Sequence, residues 1–275
     1  MQLQAKRAVI TGGGSGLGRE LCLQLAALGV RLAVTDINPE TGKETLKRVN
    51  ELQGADARHN FVAVCDVGSE AGIARLAEEV RNRWAGLDIL INNAGIAAAG
   101  RVDETSEADW QRMLDINLLS AARSARAFVP LLRAQGAGHI VNVASFAGLA
   151  CAPGMASYNV AKAGLIALSE TMRAELAPAG VGVSVACPAF FTSNLLNSIT
   201  GQAEIKGQIE RIMRRSRVQV GDVARDIIEA IENNRFMIIS HPEARRAYLL
   251  KRLMPERFFR MILKKSGHLM SSKKS

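Results

Sequence analysis

The chain has 275 residues, 48% of them hydrophobic, enough for one large domain with a substantial buried core. Its net charge of +9 is lopsided: ten Lys/Arg face two acids from His241 to Ser275, so everything before is near neutral and a general nucleic-acid binder is disfavoured. Four widely separated cysteines in apolar stretches (Cys22, Cys65, Cys151, Cys187) argue against a thiolate metal site and imply buried, reduced thiols.

The N-terminus enters an apolar, strand-like run at Ala8 with no cleavable hydrophobic region before it, which reads as a cytoplasmic protein without a secretory signal. From there, β-branched runs alternate with segments whose apolar residues recur every three or four positions. Strands are expected over 8–11, 31–35, 61–65, 89–92, 139–144, 181–186 and 236–240. Helices are expected over 17–28, 42–52, 70–84, 108–132, 162–176 and 222–233. This alternation predicts an α/β fold, a doubly wound parallel sheet of about seven strands with helices on both faces. Uncharged stretches at 138–161 and 181–203 are interrupted by Pro, Gly, Ser, Thr and Asn, so they read as buried strands entering loops rather than membrane spans. Residues 1–240 are expected to form one domain, and 241–275 a basic, partly amphipathic extension.

The first strand runs into Thr11-Gly12-Gly13-Gly14-Ser15-Gly16-Leu17-Gly18 and then directly into a helix. Glycines here let the backbone turn sharply and approach a pyrophosphate, whose charge is met by N–H groups at the helix N-terminus. Alone, such a cluster is weak evidence, because a mobile strand–helix turn presents the same glycines. The second strand ends at Asp36-Ile37, about 20 residues beyond, where a carboxylate suits adenosine ribose hydroxyls and repels a 2′-phosphate. Neither Ser15 nor Ile37 supplies a cation, although Arg19 is near, so NAD is favoured over NADP. Taken alone, Asp36 is also an ordinary turn acid before Asn38-Pro39.

The strand at 139–144 ends at Ser145, with Tyr158 and Lys162 thirteen and seventeen residues further on. On a helix, the four-residue spacing puts phenol and ammonium on one face. A lysine so placed favours phenolate, drawing a pKa of roughly 10 toward neutrality. The result is a proton acceptor for an alcohol or a donor to a carbonyl, with Ser145 able to hydrogen-bond the same oxygen. Individually, these are also a strand-end serine and a half-buried tyrosine.

The glycine octet, Asp66 after the third strand, Asn92-Asn93-Ala94-Gly95, Asn117, Ser145 and Tyr158-Asn159-Val160-Ala161-Lys162 together resemble the short-chain dehydrogenase/reductase family over roughly residues 5 to 240. The resemblance implies a Rossmann-type fold and a metal-free enzyme passing hydride between NAD(P) and an alcohol or carbonyl. It implies that Tyr158 is the acid/base, and that Lys162 binds nicotinamide ribose and lowers the tyrosine pKa. Ser145 would orient the substrate oxygen and Asn117 would hold a proton-relay water, although Asn117 alone is equally a helix-interior residue bonding backbone. Cofactor contacts are implied for Thr11, Gly12, Gly14, Ser15, Gly16, Leu17 and Gly18. Asp36 and Ile37, Asp66 and Val67 beside the adenine, and Asn93, Ala94 and Gly95 extend that set, as do Tyr158 and Lys162. Beyond the sixth strand, Pro188, Ala189, Phe191 and Ser193 complete it. There the chain departs from the family, which has Gly after Pro; Ala189 restricts positive φ, leaving Thr192 or Ser193, with Ser193 preferred by register, to contact the carboxamide.

On the substrate side, Ser145, Phe146, Met155, Phe190 and Leu195, with Leu149, Phe191, Leu196 and Ile199, offer an apolar pocket with hardly a charge before Glu204. It would suit a fatty, terpenoid or steroid-like alcohol, unless these residues simply pack a lid. In the tail, a helix over 255–265 would separate Arg257, Arg260 and Lys264 from Phe258, Phe259 and Ile262. A peripheral membrane interface, a packing contact in a homodimer or homotetramer, and, least supported, nucleic acid are its candidate partners. The reading is an NAD(H)-dependent oxidoreductase of a small apolar alcohol or carbonyl. Its alternatives are an NADP-dependent carbonyl or 3-oxoacyl thioester reductase and, from a different class, a cofactor-sensing binding protein, against which the intact Ser145, Tyr158 and Lys162 argue.

Overall fold

A computed structural model describes residues 1–191, 200–201, 207, 211, 213 and 216–270. Its strands are β1 (Arg7–Thr11), β2 (Arg31–Asp36), β3 (Phe61–Val64), β4 (Ile89–Asn92), β5 (Ala98–Ala99), β6 (Gly138–Val143), β7 (Val181–Ala186), β8 (Thr200–Gly201) and β9 (Met237–Ile238). Seven of them form one parallel sheet in the order β3-β2-β1-β4-β6-β7-β9, while β5 and β8 pair separately. The chain winds outward from β1 to β3, then returns to lay β4 on the other side of β1. Connections therefore leave β1 and β4 in opposite directions, which opens a crevice above their C-terminal ends.

The helices are α1 (Gly16–Ala27), α2 (Pro39–Gln53), α3 (Glu70–Trp84), α4 (Glu107–Leu114), α5 (Ser120–Gln135), α6 (Phe146–Ala150), α7 (Ala156–Leu176), α8 (Val220–Glu232), α9 (Pro242–Leu253) and α10 (Pro255–Met270). Because strand side chains alternate, each central strand feeds two cores. Ala8, Ile10, Ile89 and Ile91 pack with Leu21 and Leu25 of α1 and Ile227 of α8. Val9 and Leu90 face the other way, against Leu76 of α3, Phe128 of α5 and Met172 of α7. Each fully buried Val, Leu, Ile or Phe among them contributes about 1.5–3 kcal/mol, so the apolar strand runs hold the layers together.

Several boundaries differ from the sequence expectation for local reasons. α2 begins at Pro39 rather than 42, because Asn38 caps it by accepting from Glu40 N at 2.9 Å and Pro39 takes the first turn. The helix expected over 108–132 is interrupted by a π-helical turn at Asp115–Leu119, which carries Asn117. α7 starts at Ala156, well before 162, so Tyr158 and Lys162 both ride on it. The last strand shrinks to two residues at the sheet edge. Cys22, Cys65 and Cys187 are buried as expected, but Cys151 is exposed where α6 ends in a left-handed conformation, φ 54°.

Past β9 the chain does not leave the body at once. His241 and Ala244 are buried, and Lys251 Nζ of α9 donates to Leu149 O of α6 at 2.6 Å. Phe258 and Phe259, expected on one apolar face, part company: Phe258 is buried and Phe259 is exposed. Among the described residues, no helix is long and apolar enough to cross a membrane.

His139 lies buried in β6, its Nε2 2.8 Å from Ser184 Oγ, which donates onward to Arg235 O. Burial holds the imidazole down at about 4, against an ordinary 6.5. Between those values the unfolded chain binds a proton that the folded one refuses, so stability should fall as pH drops through this window, by on the order of 3 kcal/mol. His139→Gln should flatten that fall. Urea titrations from about pH 7 to about pH 4 check this, and an unaltered slope in the variant would assign the acid sensitivity to other groups.

Candidate active site

The loops beyond the C-terminal strand ends surround a cavity of about 420 Å³. At its floor, the first loop is built by glycine stereochemistry. Gly12 and Gly16 have φ of +65° and +51°, and a Cβ on Gly18 would collide with Gly12 O. Only a bare α-carbon there lets α1 sit against the β1 turn. α1 has no side-chain cap bond and no acid in its first turn, so its positive end is free to meet an anion.

Thr11 Oγ1 accepts from Asn93 N at 3.0 Å and Ala94 N at 3.1 Å, and Asn93 Nδ2 donates to Thr11 O at 2.9 Å. Asp36 Oδ2 accepts from Gly14 N at 2.8 Å and Oδ1 from Asn38 N at 3.0 Å. A carboxylate has about four acceptor positions, so Asp36 is at once a turn acid and a cavity-lining acceptor. Arg19, the nearby cation, is committed elsewhere. It donates to Gly14 O and Thr45 Oγ1 and grips Glu44 through both terminal nitrogens at 3.0 Å.

The opposite wall carries a buried ionisable pair. Tyr158 and Lys162 are both buried on α7, with Lys162 Nζ 5.8 Å from the phenol ring centre. Lys162 Nζ donates to Val143 O at 2.9 Å. Burial draws its pKa down to about 8, opposed by the neighbouring Cys187. Burial likewise raises the Tyr158 phenol above its ordinary value, and a hydrogen bond with Ser145 only partly offsets this. This reverses the expected direction: desolvation of phenolate dominates, and the ammonium is aimed at a β6 carbonyl. Asn117 is buried and lines the cavity, its Oδ1 accepting from Ile96 N at 3.2 Å and its Nδ2 donating to Met113 O at 3.3 Å. It is therefore both a helix-interior residue bonding backbone and a polar group on the cavity wall.

Most residues singled out from the sequence line this one cavity: Gly12, Ser15, Gly16, Leu17, Asp36, Ile37, Asp66, Val67, Asn93, Ala94, Gly95, Asn117, Ser145, Tyr158, Lys162, Pro188, Ala189, Phe190 and Phe191. Thr11, Gly14 and Gly18 shape the floor from behind. Phe146 instead packs in a separate apolar cluster with Leu149 and with Tyr248 of α9, and Met155 packs in the cluster that holds Tyr158.

Ser193 and Leu195, with Thr192, Leu196 and Ile199, lie outside the described residues. Ala189 does not adopt positive φ, so alanine there carries no backbone strain, and its N–H donates to His241 Nδ1 at 3.3 Å. The sequence reading missed Cys65, Ile96, Arg112, Ile116, Val143, Ala144 and Met213. Arg112 and Ile116 were open to detection, since they stand one turn apart on the segment that carries Asn117. Met213 had no local signal.

An uncapped helix end, a carboxylate at the second strand and a buried Tyr–Lys pair in one crevice fit a dinucleotide cofactor and define a class, the doubly wound oxidoreductases. The chain belongs to the short chain dehydrogenase family, whose model matches residues 6–204. It is 32% identical over 257 residues to the "Probable oxidoreductase EphD" of Mycobacterium tuberculosis, covering 90% of this chain but only 43% of that longer protein. It is 33% identical over 195 residues to human "Epidermal retinol dehydrogenase 2", covering 70% of this chain and 62% of that one. Among solved structures, a short chain dehydrogenase/reductase from Burkholderia phymatum in complex with NAD superposes with a TM-score of 0.87 at 31% identity, covering 94% of this chain and 96% of that one.

Among the described residues the buried Lys162 has no carboxylate partner, and burial lowers its pKa from 10.5 to about 8. The folded state therefore binds fewer protons than the unfolded state between those values, so this residue opposes folding at neutral pH by on the order of 3 kcal/mol. Lys162→Met should consequently melt no lower than the wild type at about pH 7, even where it loses activity. Calorimetry on the two proteins checks this, and a clearly lower Tm would show that the bond to Val143 O outweighs the burial penalty.

Proposed function

We propose that this chain is an NAD(H)-dependent oxidoreductase interconverting an alcohol and a carbonyl on an apolar substrate. One observation carries the reading: Tyr158, Lys162, Ser145 and Asn117 share a single cavity with the glycine turn and Asp36. A nicotinamide cofactor, when bound there, supplies the hydride chemistry. Tyr158 gives its proton to the substrate oxygen in reduction and takes it back in oxidation. Ser145, already bonded to the phenol, orients that oxygen. Lys162 binds ribose hydroxyls, and Asn117 holds a water that relays protons from Lys162. Since burial keeps the phenol protonated, the free protein is set for carbonyl reduction, and alcohol oxidation should quicken as pH rises.

Cofactor choice follows from Asp36, whose carboxylate accepts from ribose hydroxyls and repels a 2′-phosphate. The engagement of Arg19 by Glu44 supports this, because that guanidinium is not free to offset the Asp36 charge. Ile96, Phe190 and Met213 on the cavity wall support an apolar substrate, as does the name of the human retinol dehydrogenase relative. No metal enters the reading. Residues 1–240 act as the catalytic domain with 241–275 as an extension, in a homodimer or homotetramer. Four unpaired cysteines support a reducing, cytoplasmic setting.

Tyr158→Phe should lower kcat at least about a hundredfold while leaving the NAD Kd within about twofold, because only the proton-transfer group is lost. Stopped-flow turnover and cofactor titration read the two numbers separately, and near-normal kcat would end the acid/base assignment. NAD should bind at least about tenfold more tightly than NADP, with Asp36→Ala narrowing the gap. Calorimetric titration of both cofactors decides the matter, since equal affinities would reduce Asp36 to a turn acid.

A further inference from the structure

After β9 the chain forms two helices whose outward surface is apolar and basic together. Leu249, Leu253, Met254, Phe259 and Leu263 are exposed there, Leu253 to 78% and Phe259 to 56%. Leu249 and Leu253 stand one turn apart on α9, as do Phe259 and Leu263 on α10, so each pair marks one helix face. Arg246, Arg252, Arg257, Arg260 and Lys264 are exposed beside them. Between 242 and 264 seven Lys/Arg accompany two acids, and among the described residues none of those cations forms an ion pair with a carboxylate.

This surface is fastened to the walls of the cavity. His241 Nδ1 accepts from the N–H of Ala189, which lines it. Lys251 Nζ donates to Leu149 O in α6, the helix capped by Ser145. Buried Phe258, with the Lys251 ammonium 6.0 Å from its ring centre, anchors α10 to the same unit.

We propose that α9 and α10 form a docking surface for anionic phospholipid, which holds the substrate end of the cavity against the lipid. Charge complementarity selects this occupant. A two-fold contact with a second copy would set the same basic patch against itself. Nucleic acid would satisfy the cations but leave the exposed leucines and Phe259 in water. An anionic bilayer meets both needs, because headgroups attract the cations and the interface takes up the apolar side chains. Delivery of an apolar substrate to the cavity rests on the function proposed above; the docking itself does not.

The test sediments the full chain with vesicles of phosphatidylcholine, alone or mixed equally with phosphatidylglycerol. Partition onto the mixed vesicles is expected, with little onto the neutral ones, and it should weaken as salt rises. Leu253→Asp combined with Phe259→Asp should lower that partition at least about tenfold. Turnover of a short water-soluble alcohol with NAD, measured without vesicles, should stay unchanged. Arg257→Glu with Arg260→Glu is a second route to the same loss should the first variant misfold. Equal partition of both variants and wild type, or no preference for anionic vesicles, would overturn the proposal. So would a wild-type dimer in light scattering that the variants lose while vesicles bind neither. Because sedimentation needs no turnover, failure on every alcohol would remove the catalytic reading and leave the docking result standing.

Discussion

The site depends on how the C-terminal ends of β1 and β4 are held together. These strands are neighbours in the sheet, yet the chain departs from them toward opposite edges. The Thr11 hydroxyl accepts two N–H groups of the β4 loop, and the Asn93 amide returns bonds to the carbonyls of Thr11 and Gly12. Side chains thus close the seam while the crevice above it stays open. α1 can lie against that seam only because Gly18 has no Cβ to strike Gly12 O. Everything proposed for the cofactor rests on this narrow piece of stereochemistry.

The wall proposed to carry the proton transfer is built on the opposite principle, with groups that the interior disfavours. Lys162 and Tyr158 are both buried, and burial shifts each toward its neutral form. A protein optimised for stability alone would fill this wall with apolar side chains. Instead, a β6 carbonyl and an Asn117 held in a π-helical turn support a polar group set between the apolar clusters of the fold. Such turns recur at functional sites because they displace one side chain without ending the helix.

The extension after β9 joins these two themes at the cavity's edge. Its inner side, through His241, Ala244 and Phe258, is part of the packed body, whereas its outer side carries exposed leucines among cations. The helix that bears the proposed lipid contacts also bonds to α6 beside Ser145. A contact made outside is therefore physically continuous with the wall that faces the proposed substrate.

Local periodicity and short-range stereochemistry were enough to dictate the alternation of strands and helices, the glycine turn, the strand-end acid and the Tyr158–Lys162 spacing. Such properties are legible in the bare chain because they need no knowledge of distant partners. The charge asymmetry of the tail was equally plain, since it needs only counting. The interruption at Asp115–Leu119 was not legible, because a π-helical turn and a regular helix share the same apolar spacing. Nor was the inward turn of Phe258, the presence of Arg112 and Met213 in the cavity, or the direction of the Tyr158 shift. Those were settled by the packed fold, because burial and the field at a side chain are set by residues far away in the chain.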